Sequence, residues 1–434
     1  MIKQELNKQE VKISKIQPVI GIILLLLIAL LGNYVFKNGG GLTLNLITGA
    51  VLGYIFTRSR FGFAGGIKRL YMTGEGSLTK ALLIMFAIST VAATGIHWAA
   101  AAKGAVPVFM AGLGQAVIPG TGSVGVINIA LIVGGFLFGA GMMIAGGCAS
   151  GTLTDAGEGS VRALIVMLFF GIGGIIGLIV KPAFTATALG KIGTRVYLPN
   201  TFGYIGAVLV TFALLLVLYA ITRKYEDIRR NKGTYEEIVY EADELSLKEE
   251  GQFKLFSYST YHKFFVERWS FLKGAILTSV MFIFIINTTG NSWGVSGGYP
   301  LWVMAILDKL GIEFTAPALA GNVKAIGNGL LKHGVTLRNL GMIAGSAIAF
   351  LLAGRFKLDY RFSVKDVVFY VIGGLLLGFG AMFAGGCNIG ALYSAISNFS
   401  LSGWIYLLAA SLGGIVSLKL FEGKVDTVPA RFKK

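Results

Sequence analysis

Apolar runs of about twenty residues recur along the whole chain, and each is long enough to cross the ~30 Å hydrocarbon core of a bilayer as a helix. Charged residues make up only 14% of the 434 positions, whereas a soluble domain carries roughly 25%. Inside a bilayer the backbone polar groups must be satisfied within the segment, which favours helices. The sequence therefore predicts an all-α polytopic membrane protein.

These runs predict ten membrane spans. The first run is interpreted as an uncleaved span, because it is longer than the apolar core of a signal peptide and lacks a small-residue cleavage site. The predicted spans cover residues 18–36, 42–57, 78–101, 126–145, 161–180, 201–222, 271–289, 336–354, 367–384 and 403–420.

A hydrophilic loop, residues 223–270, divides the chain into two membrane repeats. The first repeat, 1–222, includes an extra N-terminal span, and the second covers 271–434. Within the loop, the mixed charge of 235–250 predicts a surface amphipathic helix or a mobile linker. The apolar piece 301–307 is too short to cross, so we expect it to lie in the membrane interface or to re-enter.

Clusters of lysine and arginine determine the expected orientation, because such residues favour cytoplasmic loops. With the N-terminus inside, ten spans bring every cluster to the cytoplasmic side. This predicts cytoplasmic N- and C-termini in a bacterial-type plasma (inner) membrane. The clusters contain Lys3, Lys8, Lys12 and Lys15; Arg58, Arg60, Lys68 and Arg69; Arg223, Lys224, Arg229 and Arg230; Arg355, Lys357, Arg361 and Lys365; and Lys424, Arg431, Lys433 and Lys434.

The formal charge of +17 favours anionic partners. Nine of the 21 acidic residues lie between Glu226 and Glu250, so the rest of the chain is strongly basic. No soluble segment combines basic residues with interleaved aromatics, so we do not expect nucleic acid to bind. The expected partners are the lipid membrane and a small anionic substrate.

The chain has two cysteines, and both end the same duplicated motif. Ala145–Cys148 and Ala384–Cys387 each read Ala-Gly-Gly-Cys and lie 239 positions apart. The apolar, glycine-rich match extends backwards without a gap, with 134–142 against 373–381. A duplicated segment that ends in one thiol per half predicts a two-halved protein.

The two motifs are expected to enter the membrane from opposite faces. The first follows the fourth predicted span and therefore begins at the cytoplasmic side, whereas the second follows the ninth and begins at the outer side. This is the inverted-repeat arrangement, in which broken helices of the two halves meet near the midplane and form a substrate site. A weaker glycine-rich repeat within the first half predicts a further re-entrant element at 58–72.

Consecutive glycines at the end of an apolar span allow backbone conformations that other residues avoid. A helix broken at Gly146 and Gly147, or at Gly385 and Gly386, exposes amide N–H groups, which attract an anion. A thiol adds a soft, polarisable contact. Together these groups favour a small, soft anion. The alternative is packing, because membrane glycines are mostly packing residues and a free cysteine is mostly a small buried hydrophobe. A disulfide is a lesser alternative, because it would block the path.

Other polar residues admit two interpretations each. Asn388, Ser150 and Thr152 either donate hydrogen bonds to a substrate or cap a broken helix. Glu75 and Glu158 lie near cytoplasmic span ends, where they are solvated or cap a helix. If they are buried, they become candidates for proton coupling.

Six basic residues lie on the outer side, against the positive-inside expectation. Random placement accounts for some of them, and an electrostatic funnel that collects an anion accounts for all of them. They are Lys181, Lys191, Arg195, Lys324, Lys332 and Arg338.

The sequence resembles the YeeE/YedE family of membrane proteins that take up sulfur compounds. The resemblance runs from the Arg-Ser-Arg-Phe segment at 58–61 to 157–161, and from about 334 through 384–391 to 414. It implies a thiosulfate path lined by Cys148 and Cys387. Family members often carry a third cysteine where this chain has Gly62. Some longer relatives are associated with selenium metabolism, and some members suggest a cytoplasmic sulfur-carrier partner.

Three functions remain open at this point. A transporter for a small sulfur-containing anion agrees best with the thiol pair. A membrane thiol or persulfide carrier would need a reactive cysteine near a base, and no histidine accompanies either motif. An ion channel would be expected to show a symmetric filter motif. No metal-ligand spacing and no ATP-binding motif are present, so we predict neither an enzyme nor a cofactor.

Overall fold

Helices build almost all of the molecule. The computed structural model describes residues 16–37, 39–247 and 257–430. Within these ranges only isolated β-bridges occur and no strand forms, which confirms the all-α prediction. The predicted basic clusters at 3–15 and 431–434 lie outside the described residues.

Short helices stand between long ones in both halves of the chain. Those before the loop are α1 Ile16–Phe36, α2 Gly40–Ser59, α3 Phe63–Thr73, α4 Ser77–Ala101, α5 Ile129–Ile144, α6 Ala149–Gly157, α7 Val161–Ala186, α8 Ala188–Lys191 and α9 Leu198–Asn231. Those after it are α10 Tyr258–Tyr261, α11 Phe271–Thr289, α12 Gly298–Lys309, α13 Ala320–Asn328, α14 Gly334–Leu352, α15 Val364–Ala384, α16 Ala395–Ser397 and α17 Leu401–Phe421.

Ten segments of the described chain are long and apolar enough to cross a membrane, as predicted. Two of them contain a break that the span prediction did not include. The segment Gly40–Thr73 consists of α2 and α3, and Ile129–Gly157 consists of α5 and α6. α3 occupies the stretch for which a re-entrant element was predicted.

Glycines bring α5 and α15, the helices of the two motifs, into direct backbone contact. A Cβ on Gly134 would lie 2.7 Å from the carbonyl oxygen of Gly380, and one on Gly141 would lie 2.8 Å from that of Gly373. Because the residues that meet run in opposite order along the two helices, the helices pack antiparallel. In the duplicated motif Gly134 matches Gly373 and Gly141 matches Gly380, so each copy presents the same two glycines to the other.

The same reciprocity governs the next pair of contacts. Gly139 of α5 faces the backbone of Ala410 on α17, and its counterpart Gly378 of α15 faces the backbone of Phe170 on α7. Close approach through small residues is the usual basis of helix association in membranes. Helices α5, α7, α15 and α17 therefore form the centre of the molecule.

The apolar piece predicted at 301–307 is part of α12. Tyr299, Leu301, Val303 and Met304 on this helix are buried, and α12 packs against α7 through Gly171. The helix is thus packed inside the protein and too short to cross a membrane.

The loop contains no amphipathic helix in the part of 235–250 that the structure describes, 235–247. That stretch is extended apart from the 3₁₀ turn Ala242–Glu244. The turn is held by charge, since the guanidinium of Arg355 lies 3.3 Å from the carboxylate of Asp243 and also pairs with Glu244. Ion pairs, not an apolar face, therefore fix this turn, and the helical interpretation was wrong there.

We predict that Gly139→Ala destabilises the protein. The added methyl group would overlap the carbonyl oxygen of Ala410, and forced overpacking costs about 1–3 kcal/mol. Gly95→Ala is the matched control, because a Cβ there meets nothing within 4 Å. Melting of the purified protein in detergent should fall by several degrees for Gly139→Ala and stay level for the control. Equal melting temperatures would contradict the close-contact account.

Candidate functional site

Both cysteines occupy the same local position, at the point where a long helix stops and a short one begins. Cys148 precedes α6 with φ −84°, and Cys387 precedes the π-helical turn Asn388–Ser394 with φ −97°. The first glycine of each motif makes the break, with φ +85° at Gly146 and +91° at Gly385. Side chains rarely adopt this left-handed region, which explains why glycine stands there.

The two sulfurs are free, buried and hydrogen-bonded locally. Cys148 is 1% exposed and Cys387 is 0% exposed, and no disulfide joins them. The Cys148 sulfur lies 3.3 Å from the hydroxyl oxygen of Ser150. The Cys387 sulfur accepts hydrogen bonds from the amides that begin the following turn, at Ile389 and Gly390, and its thiol is also paired with the Ser296 hydroxyl. The N-terminal amides of a broken helix thus face a sulfur atom.

The two thiols lie close enough to interact electrostatically with each other. Two buried tyrosines also lie close enough to both sulfurs to interact with them electrostatically. They are Tyr299 on α12 and Tyr406 on α17. The Tyr299 hydroxyl donates a 2.5 Å hydrogen bond to the carbonyl oxygen of Ala149. Elements from both halves of the chain therefore converge on one polar centre.

A cavity opens on each side of this centre. The second-motif cavity, about 550 Å³, lies beside the start of α5, and its lining includes Asn128, Lys181, Arg195, Trp293, Ser296, Gly385, Gly386 and Gly390. The first-motif cavity, about 590 Å³, lies beside the end of α5, and its lining includes Phe56, Arg60, Gly62, Lys68, Arg69, Gly146, Gly147, Cys148, Asp155 and Glu158.

The partition between the two cavities is thin. Phe56 lines the first-motif cavity and Trp293 lines the second, and their ring centroids are 6.1 Å apart. Cys148 lines the first cavity, while Ser296, which bonds the Cys387 sulfur, lines the second. The aromatic pair and residues of both motifs therefore lie at the partition between the two cavities.

Two of the six basic residues that were predicted to lie outside line the second-motif cavity, Lys181 and Arg195. The Lys181 ammonium lies directly over the second motif, 3.1 Å from the place of a Cβ on Gly385. Lys181 forms no ion pair with any acidic residue of the described chain. A cation without a counter-ion at a cavity wall attracts an anion.

The other four basic residues do not line this cavity. Lys191, Lys324 and Lys332 are exposed elsewhere. Arg338 is buried between α14 and α2, where its guanidinium donates to the side-chain oxygen of Asn45. The structure thus brings two members of the predicted group together at this cavity. Arg338 instead has a hydrogen-bond partner inside the protein.

The two acidic residues are both paired. Glu75 is 3% exposed, and its carboxylate accepts a hydrogen bond from the amide N–H of Ser77 at the start of α4. A carboxylate oxygen of Glu75 lies 3.4 Å from the Nε atom of Arg69. Glu158 lines the first-motif cavity and lies 3.1 Å from Arg60. Burial raises the pKa of Glu158 to about 7, and Arg60 opposes that rise. Glu158 therefore titrates near neutral pH at a cavity wall, whereas Glu75 caps a helix.

Gly62 and Asn388 have different surroundings. Gly62 lines the first-motif cavity, and a Cβ there would meet nothing within 4 Å. Asn388 is buried and its amide nitrogen lies 3.4 Å from the Met142 sulfur. Its side-chain oxygen has no hydrogen-bond partner among the described residues.

Sequence reasoning missed four residues of this centre: Tyr299, Tyr406, Trp293 and Ser296. None of them lies in the duplicated motif, and each comes close to a thiol or a cavity only through tertiary packing. Trp293 and Ser296 lie in the glycine- and serine-rich break between α11 and α12. The glycines and serines of this stretch were the sequence signal from which the break between α11 and α12 could have been predicted.

Comparison with known proteins finds one family match and several relatives. A family model described as sulphur transport matches residues 58–416. The thiosulfate transporter TsuA of Escherichia coli (strain K12) is 26% identical over 375 residues, which cover 85% of this chain and 91% of the relative. TsuA of Spirochaeta thermophila is 24% identical over 298 residues, 65% of this chain and 74% of the relative. The probable transporter YedE of E. coli K12 is 26% identical over 174 residues, covering 40% and 43%.

We predict that Gly62→Cys folds normally and exposes its new thiol. The site has room for the side chain, whereas Gly146→Cys, the control, would strain a left-handed glycine and collide with Arg162. Melting in detergent should be unchanged for Gly62→Cys and lowered for Gly146→Cys. Mass spectrometry after brief maleimide treatment should find the new thiol at position 62 modified before the buried Cys387. An unreactive or destabilising cysteine at that position would contradict the open cavity wall.

Proposed function

The chain belongs to the sulphur-transport family of membrane transporters, and we propose that it takes up a small sulfur-containing anion, most specifically thiosulfate, along a path lined by Cys148 and Cys387. Membership in a transporter family, together with ten candidate spans, makes it a multi-pass membrane transporter and not an enzyme. The substrate and the path are the parts that we propose.

One observation carries the proposal. Two free, buried thiols, each at the start of a short broken helix, lie between two cavities at opposite ends of α5. Broken backbone at membrane depth is tolerated where it lines a cavity or a ligand. A packing role for the glycines explains the close helix contacts, but it does not explain why amide N–H groups and thiols are gathered between two cavities.

We propose that the two halves form an inverted repeat about this centre. The reciprocal glycine contacts of the antiparallel helices α5 and α15 support a pseudo-two-fold relation between the motifs. The basic residues Arg60, Lys68 and Arg69 at the first-motif cavity favour the cytoplasm for that side. Both termini would then be cytoplasmic in a bacterial-type plasma membrane, and the second-motif cavity would face outward.

In this orientation the anion enters through the second-motif cavity. Lys181 and Arg195 attract it, and the Lys181 ammonium lies beside Gly385 at the second helix break. The anion then passes Cys387 and Cys148 by thiol contacts and leaves past Gly62 and Arg60. A soft terminal sulfur suits the thiols, and anionic oxygens suit the N–H groups.

We propose thiosulfate as the substrate because two relatives are named as thiosulfate transporters, and the matched region covers most of the length of each relative. Gly62 leaves the inner part of the path without a third thiol, so a related sulfur or selenium species is the alternative substrate. A cytoplasmic sulfur-carrier protein that receives the anion at the first-motif cavity belongs to the same proposal.

The path is tested by uptake of labelled thiosulfate into vesicles. Cys148→Ser and Cys387→Ser should each lower uptake about tenfold, because a serine keeps the size but loses the soft contact and strengthens local hydrogen bonding. Thr211→Val is the control, because Thr211 is equally buried but lies on α9, away from both cavities. Wild-type uptake in both serine variants would refute the thiol path.

A membrane persulfide carrier is the competing function, because Cys148 borders a cavity and is therefore accessible to a sulfur donor. It predicts a stable persulfide on Cys148 by mass spectrometry and no accumulation of thiosulfate in vesicles. Uptake without a stable persulfide would favour transport.

A further inference from the structure

Building on the proposed uptake of a sulfur oxyanion, we propose that the Tyr406 hydroxyl and the Trp293 indole N–H bind the oxygen atoms of the substrate and thereby select it. The thiols contact the soft sulfur end, and these two donors recognise the oxygen end. Neither residue belongs to the duplicated motif.

Tyr406 is a buried donor that the described part of the chain leaves unpaired. Its side chain is 0% exposed, and its hydroxyl has no hydrogen-bond partner in the described part of the chain. The ring packs on α5, 3.3 Å from the place of a Cβ on Gly135 and with its centroid 6.2 Å from that of Phe138. This packing fixes the ring while the hydroxyl lies within electrostatic range of both thiols. Its neighbour Tyr299 differs, because that hydroxyl is bound to Ala149.

Trp293 offers a second unused donor at the entrance to the same centre. It is 0% exposed and lines the second-motif cavity together with Gly386 and Gly390. Its indole nitrogen has no acceptor among the described residues. The backbone at Trp293 is fixed, since its carbonyl oxygen accepts a 2.7 Å hydrogen bond from the Ser394 hydroxyl.

Leaving two donors unsatisfied in a buried site costs free energy in the empty protein. An anion that accepts hydrogen bonds from both would recover that cost on binding. An indole N–H only donates, so it favours an anionic oxygen and gives nothing to a cation. A sulfur anion without oxygens would offer both donors only a weak acceptor, and poorly paired buried groups are a basis of discrimination.

The molecule provides a matched control for each residue. Tyr393 is also 0% exposed, but its hydroxyl is paired with Ser89 at 2.6 Å. Trp404 also has an unpaired indole nitrogen among the described residues, yet it lines an apolar groove with Leu82 and Leu215 and neither of the two cavities. Hydrogen-bond pairing of the hydroxyl therefore separates Tyr406 from Tyr393, and position at a cavity separates Trp293 from Trp404.

The test combines thiosulfate uptake in vesicles with melting in detergent, with and without thiosulfate. Tyr406→Phe and Trp293→Phe should each raise the KM for thiosulfate about tenfold or more, and should reduce the rise in melting temperature that thiosulfate causes. Tyr406→Phe should not lower the melting temperature without thiosulfate, because its hydroxyl bonds nothing in the described chain. Tyr393→Phe should lower it and keep the KM, and Trp404→Phe should keep the KM.

Each contrary outcome has one meaning. If the wild type neither takes up thiosulfate nor is stabilised by it, the proposed function fails. If the wild type does both and Tyr406→Phe and Trp293→Phe behave like it, the donor assignment fails. If Tyr406→Phe loses stability without thiosulfate as Tyr393→Phe does, its role is structural and the assignment is overturned for Tyr406.

Discussion

The glycine contact between α5 and α15 is the constraint on which the rest of the structure depends. These two helices carry the motifs, and their backbones touch where Gly134 meets Gly380 and Gly141 meets Gly373. A larger residue at any of these positions would separate the helices and, with them, the two helix breaks. The thiols share one centre because the glycines allow this approach.

Several polar groups at the centre have no hydrogen-bond partner in the described chain. Amide N–H groups of the broken helices face the sulfurs, and the Tyr406 hydroxyl and the Trp293 indole nitrogen lack partners among the described residues. At membrane depth such groups are costly unless something binds them. Donors dominate, and the nearby Lys181 adds a positive charge without an acidic partner in the described chain. This chemistry supports the anion site with soft contacts that we propose.

Most of the architecture was predictable from the sequence. Span length and hydropathy yielded ten spans because the membrane imposes a helix of fixed length on each apolar run. The break at each Gly-Gly-Cys was predictable from local backbone preference. The features that could not be predicted depend on which residues the fold brings close together. Arg338 has the same charge as Lys181, but it is bound to Asn45, and only packing distinguishes them. Tyr406 and Trp293 lie outside the motif, so the role that we propose for them rests on the absence of partners around them in the described chain.

The central claim is that a sulfur-containing anion binds between Cys148 and Cys387, and an experimental structure with thiosulfate tests it most directly. We expect density for one anion between the two sulfurs, with its terminal sulfur toward the thiols and its oxygens toward Tyr406 and Trp293. An anion bound elsewhere in the membrane domain, with the space between the two thiols empty at saturating thiosulfate, would contradict the account.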